Sequence, residues 1–457
     1  MKISLKTPLF LFIVYIVFSL LIFIYGPRKY EGFEAFPVCT YLAIFLILFS
    51  VGYLAGTNRH LVEASGRFER YSESILRLVR VCIVINFVFV LWMAVSYALQ
   101  SKLSFSLNMG QNYMNYHLER TGSDGFRATP QEVALLFLGF PRLVLMTLGI
   151  YYFRFLGAVY KWMLVIFLLL FIFIVVLNSG HQKMLGDIII YGGSVAFIRI
   201  CDISSRKRKY LVYLGIFCIA VTFVVLMFSQ IQRYESIGIF NIEDMNTQLS
   251  DYNYYKEDHV IFKVFGERAG MGIAVLLCGY LAGGYYGLYH CLQMPFVFTW
   301  GFSLFSPYSK IAEMLTGKEV LSNHYILRME NTLGIRGLAA WHTVFPYLAG
   351  DLTFGGVLFF FCLVAFAWGI AWKEILYYRN PVSILFFSML NLGLLYVPAN
   401  NQLLWGYDGN IMTCIMVAFW ILRHKRYNIP GFQAMMVKKK DFCEIKNSGV
   451  KDSCSGI

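Results

Sequence analysis

Apolar runs long enough to cross a bilayer recur along the chain, separated by short polar stretches that hold most of the charge. A helix needs roughly 20 apolar residues to span the hydrocarbon. Ten runs qualify: 8–25, 37–55, 81–99, 132–153, 158–177, 185–200, 210–228, 352–371, 382–397 and 403–422. The stretch 270–305 is also apolar but awkward. It reads as two further spans, or as a re-entrant or surface-lying segment. The turn that two spans would require, "YYGLYHCLQM" (285–294), holds no Lys or Arg, so charge gives the pair no support. The expectation is an all-α polytopic membrane protein with 10–12 transmembrane helices.

The polar stretches set the orientation. Basic residues mass at Arg59, Arg67, Arg70, Arg77 and Arg80, at Arg206–Lys209, and at Arg423, Lys425 and Arg426. Short cytoplasmic loops carry such an excess. Loops 56–80, 201–209 and 372–381, both termini and the tail therefore belong inside. Segments 26–36, 100–131, 178–184, 229–269, 306–342 and 398–402 belong outside, the two largest outer loops falling in the second half. The organisation is one multispanning domain, 1–427, followed by a flexible basic cytoplasmic tail, 428–457.

Composition agrees: 58% of residues are hydrophobic and only 14% charged, where a soluble protein carries about a quarter. The net charge of +13 is explained by loops facing anionic lipid heads. Nucleic acid is excluded as a partner because the basic runs lack the accompanying fold signals. Ten cysteines show no disulfide framework and no C-x-x-C pair. There is no Walker A loop, no H-E-x-x-H, no metal-ligand cluster and no G-x-S-x-G elbow. Neither a metal nor a cofactor is expected. Chemistry on the outer face has no ATP and needs a substrate that carries its own energy.

Candidate residues gather at the outer rim. Loop 306–342 holds His324, Arg328, Asn331, Arg336 and His342, and runs into Tyr347 and Asp351. Arginine grips phosphate with two parallel N–H groups, and histidine moves protons near neutral pH. The plain alternative is a solvated loop, with Asp351 merely capping a helix. Arg268 precedes an apolar run in the other large loop. Arg142 lies mid-span after Pro141, where an ionisable group is either functional or part of a structural pair. In "NSGHQKMLGD" (178–187), Lys183 and Asp187 stand four apart, as in a surface ion pair; Lys183 could instead hold a lipid phosphate.

With these pieces the chain resembles the oligosaccharide repeat-unit polymerases, the Wzy-type O-antigen and capsule polymerases of bacterial inner membranes. The resemblance covers the topology and three stretches: "NSGHQKMLGDIIIYGG", "YLAGGYYGL" (280–288) and "ENTLGIRGLAAWHTVFPYLAGDLTFGGVLFFF". In the last, Asn331–Thr332, Phe345, Tyr347, Asp351 and Gly356 resemble the family's N-T … F-x-Y-x-D-x-G-x-x-G pattern, with three residues between Tyr347 and Asp351 where the pattern has one. Thr353 departs from it, standing where Gly is usual. The resemblance implies periplasmic glycosyl transfer between undecaprenyl-diphosphate-linked oligosaccharides, with a chain-length regulator and a flippase as pathway partners. It assigns His324, His342 or Asp351 as base. Arg268, Arg328 and Arg336 would hold the leaving diphosphate, with Arg142 and Lys183 as further substrate-binding cations and Asn331 and Tyr347 against sugar. Three alternatives stand beside it: an O-antigen ligase, a non-enzymatic flippase or transporter, and a membrane acyltransferase. The second predicts more ionisable groups inside the spans, and the third a His-Asp centre on an inner or re-entrant face, which the sequence does not display.

Overall fold

The computed structural model describes residues 4–59, 67–68, 73–100, 108–113, 115, 130–178, 180, 183–201, 203, 205–248, 253–305, 308–317, 319–334, 341–404, 406–423 and 436–437. Arg336, His181 and nearly all of the tail lie outside the described residues. The rest is almost entirely helical, and seven helices are long and apolar enough to cross a membrane, with three shorter apolar ones beside them.

The first three helices are α1 (Thr7–Tyr25), α2 (Ala35–Asn58) and α3 (Glu73–Leu99). Then come α4 (Pro130–Val144), α5 (Ala158–Phe171), α6 (Lys183–Ile200) and α7 (Ser205–Glu235). Wide π-type turns extend α4 through Leu145–Gly149 and α5 through Ile172–Asn178. Side chains at the two ends show that the helices alternate in direction. On one face Tyr53 and Trp372 donate to the backbone of Leu5 and Ser4, Lys373 reaches Arg59, and Arg199 reaches Tyr151. On the other, Asn112 donates to Leu177 and Arg233 to Gly180. We call these the first and second faces. The basic residues Arg59, Arg199, Lys373, Arg379 and Arg423 gather toward the first.

Four short helices stand between α7 and the last crossing elements: α8 (Ile242–Gln248), α9 (Val260–Phe265), α10 (Glu267–Ala274, continued as a π-turn to Leu281) and α11 (Gly284–Gln293). Strand β1 (Arg28–Tyr30) pairs antiparallel with β2 (Asn253–Tyr255), stitching the first loop to this region. Composition would let 267–293 cross the membrane, but its neighbours place both ends on the second face. Arg268 pairs with Glu235, and Glu267 accepts from the Ile242 amide. Past the break at Ala282–Gly283, Tyr286 stacks on Tyr30 and Tyr289 packs on Phe33. Of the readings left open by its sequence, the shallow re-entrant one fits. Parity is kept among the described residues.

Two more helices, α12 (Ser309–Thr316) and α13 (Tyr325–Leu333), precede α14 (Val344–Tyr378), α15 (Pro381–Leu395) and α16 (Tyr407–Leu422). Helix α14 is broken at Thr353, whose φ of 61° and ψ of 163° are not helical. A straight helix would separate Phe345 and Phe361 by about 24 Å. Their ring centroids are 5.8 Å apart, so the segment before Thr353 folds back on the one after it. Val344 thus starts inside the bundle, its amide bonded to the Val397 carbonyl. Beyond the break α14 lies along α2. Gly52 and Gly56 permit this, since a Cβ there would meet the Cys362 and Phe366 carbonyls at 2.1 Å.

Helix α15 has 15 residues, about 22 Å at 1.5 Å each, short of a hydrocarbon core of ~30 Å. Its last residue, Leu395, accepts from Tyr15, halfway along α1. The connection "VPANNQ" (397–402), expected as an outer loop, therefore sits at membrane depth. At the first face Arg423 grips Glu374 at 2.8–3.1 Å, and Ser383 also donates to that carboxylate. This buried pair fastens α14, α15 and α16 together at one end, and leaves the α15–α16 connection to form a wall at the other.

Candidate functional site

A cavity of about 50 Å³ opens between α4, α6, α15 and α16. Arg142, Lys183, Asp187, Gln402 and Asp408 line it. That volume holds several waters. Local sequence explains how the groups meet. Gly139 lets the start of α16 approach α4, since a Cβ there would stand 2.6 Å from the Asp408 carbonyl. Three residues on, the same face of α4 presents Arg142. Arg142 Nη2 donates to Asp408 Oδ2 at 2.7 Å. Pro141 inside α4 and the π-turn that follows open the backbone ladder beside the cavity. Asp408 lies in the first turn of α16, where the helix dipole favours a carboxylate.

Asp187 sits one turn into α6. Its carboxylate accepts from Tyr396 Oη at 3.0 Å and from Gln402 Nε2 at 3.4 Å. Lys183 remains an electrostatic neighbour of Asp187, as the spacing suggests, but the carboxylate's hydrogen bonds come from the α15–α16 connection, and Lys183 stands at the exposed mouth of the cavity. Tyr396 also stacks on Trp341, at 6.4 Å between centroids. That contact joins the polar rim segment to the cavity. Arg142 and Lys183 were legible as candidates; the partners of Asp187 (Tyr396 and Gln402) and Asp408 were not. The available signal was a rule of pairing: a mid-span arginine requires a carboxylate, and "WGYDGN" (405–410) offers one beside two glycines at the start of an apolar run.

The other candidates lie elsewhere. His324 is buried, with Nε2 3.3 Å from Ser309 Oγ, and shares a small cavity with Tyr347. Burial pushes its pKa below the ordinary value, against the opposing pull of Asp351 and Glu313. Asp351 accepts from Thr299 Oγ1 at 2.6 Å, the Gly301 amide at 2.7 Å and the Leu304 amide at 2.8 Å. Its carboxylate holds the turn 299–304 and bonds no amide of its own helix, so it acts as a tether between segments, where the sequence offered a helix cap or a base. Arg328 donates to the Pro295 carbonyl at 2.9 Å and leans on the Tyr325 ring. Asn331 is exposed on α13, and Arg268 is tied to Glu235 on the surface. His342 is buried where α11 passes: a Cβ on Gly287 would meet its Nδ1 at 2.4 Å. The structure therefore separates a loop group (His324, Arg328, Tyr347, Asp351) from a bundle group (Arg142, Lys183), and keeps Arg268 apart from both.

The cavity is balanced, two cations against two carboxylates. Such a set suits hydroxyl groups and proton movement better than it suits an anion alone, because Asp408 already neutralises Arg142. Comparison with known proteins places no name beside this geometry: no protein-family model, curated protein or solved structure matches the chain.

Proposed function

We propose that the chain is a glycosyltransferase that joins undecaprenyl-diphosphate-linked oligosaccharide repeat units at the periplasmic face of a bacterial inner membrane. The observation that carries this reading is the cavity of Arg142, Lys183, Asp187, Gln402 and Asp408, sunk in the bundle and joined through Trp341 to the rim of the second face. A lipid-linked sugar has its diphosphate at headgroup level and its reacting carbon just beside it. The basic first face, read by the charge rule, is cytoplasmic, which turns the large second-face loops toward the periplasm.

In the proposed step the acceptor hydroxyl oxygen bonds to the donor's anomeric carbon. The bond from that carbon to the diphosphate breaks, and its electrons leave with the lipid diphosphate. The hydroxyl proton passes to Asp187, which Tyr396 and Gln402 hold in position. Lys183 at the cavity mouth supplies charge to the leaving group. Arg142 orients Asp408 toward sugar hydroxyls.

A second reading has its own support. Transporters of lipid-linked sugars place ionisable groups at membrane depth, and this cavity gathers four where the sequence displayed one. Deleting the gene in its host and resolving the surface polysaccharide on a gel separates the readings. A ladder collapsing to core plus one repeat unit is the expected result and means polymerase. Long chains accumulating on undecaprenyl diphosphate mean ligase. Repeat units trapped on the inner leaflet mean flippase and overturn the proposal.

A further inference from the structure

On the opposite side of the α15–α16 pair lies a second space, an apolar groove of about 660 Å³. Val364 and Ala367 of α14, Met389 and Leu390 of α15, and Val417 and Ala418 of α16 form its walls. It runs along α16 from Thr413 to Ile421, about 12 Å of helix. It is open sideways: the lining residues Leu363, Val417 and Ile421 are 52%, 38% and 57% exposed. Helix ends that are fastened by Arg423 and Glu374 keep the groove from closing at the first face.

The groove is not apolar throughout. At its second-face end it meets Asn401 and Gln402. Gln402 lines the polar cavity as well, so one side chain borders both spaces. Asn401 is 3% exposed, yet its side-chain Nδ2 has no hydrogen-bond partner among the described residues, and neither has Gln402 Oε1. A buried amide donor left without a partner is costly, so Asn401 Nδ2 at the end of a greasy groove calls for an acceptor-bearing head on an apolar chain. Lys183 at the mouth of the adjoining cavity adds positive charge on that side.

We propose that this groove is the binding site for the polyisoprenoid chain of a lipid phosphate, with Asn401 donating to a phosphate oxygen at its upper end. The chain lies between α14, α15 and α16 and points toward the first face. The anomeric carbon of an attached sugar then falls beside Gln402, next to Asp187. The choice of polyisoprenoid over an ordinary acyl chain rests on the reading under Proposed function; the groove with its polar end does not.

The test uses the full chain in phosphatidylcholine nanodiscs and a polyprenyl phosphate carrying a diazirine near the middle of its chain. Photolysis followed by peptide mass spectrometry should place adducts on groove residues of α15 and α16. Unlabelled polyprenyl phosphate should compete them away, and polyprenol of the same length should not. Ala418→Trp, which fills the groove from its open side, should cut adduct yield about tenfold, the loss expected when roughly two methylenes of burial are denied. Ile219→Trp on the lipid-facing side of α7 should leave it unchanged, which controls for folding. Asn401→Leu should weaken competition by the phosphate to the level of the neutral polyprenol; undiminished competition in this variant would overturn the role of Asn401. Equal competition by polyprenol would show the groove to be bulk lipid contact and overturn the site. Equal competition by phosphatidylglycerol would overturn the polyisoprenoid assignment. Neither result depends on polymer synthesis, so the gel described above fails or succeeds separately.

Discussion

Arg142 and Asp408 decide between a structural and a functional account of the cavity. Removing Arg142 alone leaves a carboxylate at membrane depth. A fully buried orphan of this kind costs about 3–5 kcal/mol. Asp408 is 35% exposed, so about 1–3 kcal/mol is the fairer expectation here. Arg142→Ala should therefore lower protein abundance, and adding Asp408→Ala should restore it. Polymer synthesis should stay absent in the restored double variant. If synthesis returns with abundance, the pair is only structural. His324 yields a pH prediction of the opposite kind. Burial lowers its pKa from 6.5, so folding favours the neutral ring. That contribution is complete above pH 6.5 and is lost as pH falls below it, because the unfolded chain then binds the extra proton. Asp351 and Glu313 face the ring and reduce the effect without reversing it. Melting temperature in detergent should drop between pH 7.5 and 5.5, and His324→Gln should flatten the drop. At this scale residue types were legible from the sequence but their partners were not. Asp187 and Lys183 share a helix face by spacing alone. Only the fold brings Tyr396 and Gln402, more than two hundred positions away, to take the carboxylate.

Crossing elements were legible because each carries its own apolar run, a local property that no tertiary contact is needed to reveal. Three other elements were harder to see for one physical reason: each enters the bundle and turns back. Stretch 270–305 reads as two spans or as a re-entrant or surface-lying piece, 343–351 as rim and 398–402 as outer loop, since hydropathy reports whether a residue avoids water and not which way the chain then goes. Thr353 marks the sharpest of these turns. Its φ of 61° with ψ of 163° is a conformation suited to glycine, at a cost of order 1–3 kcal/mol for other residues. Its hydroxyl returns part of this by accepting from the Gly356 amide at 3.2 Å, a cap of about 1 kcal/mol. Strain exceeds cap, so Thr353→Gly should unfold at an equal or higher temperature than the native chain. Thr353→Val keeps the strain and loses the cap, and should unfold lower. Thermal melts of the three proteins in one detergent give the order Gly, Thr, Val; a stable Val variant would mean that the turn relaxes and that α14 is not rigidly broken.

The whole molecule presents two unlike faces, and the proposed chemistry depends on which of them looks outward. On the first, Arg59, Arg199, Lys373, Arg379 and Arg423 stand near helix ends, and Arg423 is locked to Glu374 with both side chains at most 5% exposed. On the second, the ribbon β1–β2, helices α8 to α13 and the satellite core around Ile242, Met245 and Phe262 make a platform. A platform of this kind needs water and a sugar-bearing substrate above it, while the basic face matches anionic lipid heads. A single cysteine at Met314, 85% exposed on α12, should react with a membrane-impermeant maleimide in intact spheroplasts when the native cysteines are replaced by serine or alanine. A cysteine at Tyr377, 56% exposed near the first face, should react only after lysis. The reversed pattern would turn the cavity toward the cytoplasm, where a lipid diphosphate sugar meets soluble nucleotide-sugar enzymes and needs no polymerase of its own. Lys183 and Asp187 would then serve loading of a carrier from the inner leaflet, and the transporter reading would stand in place of the transferase.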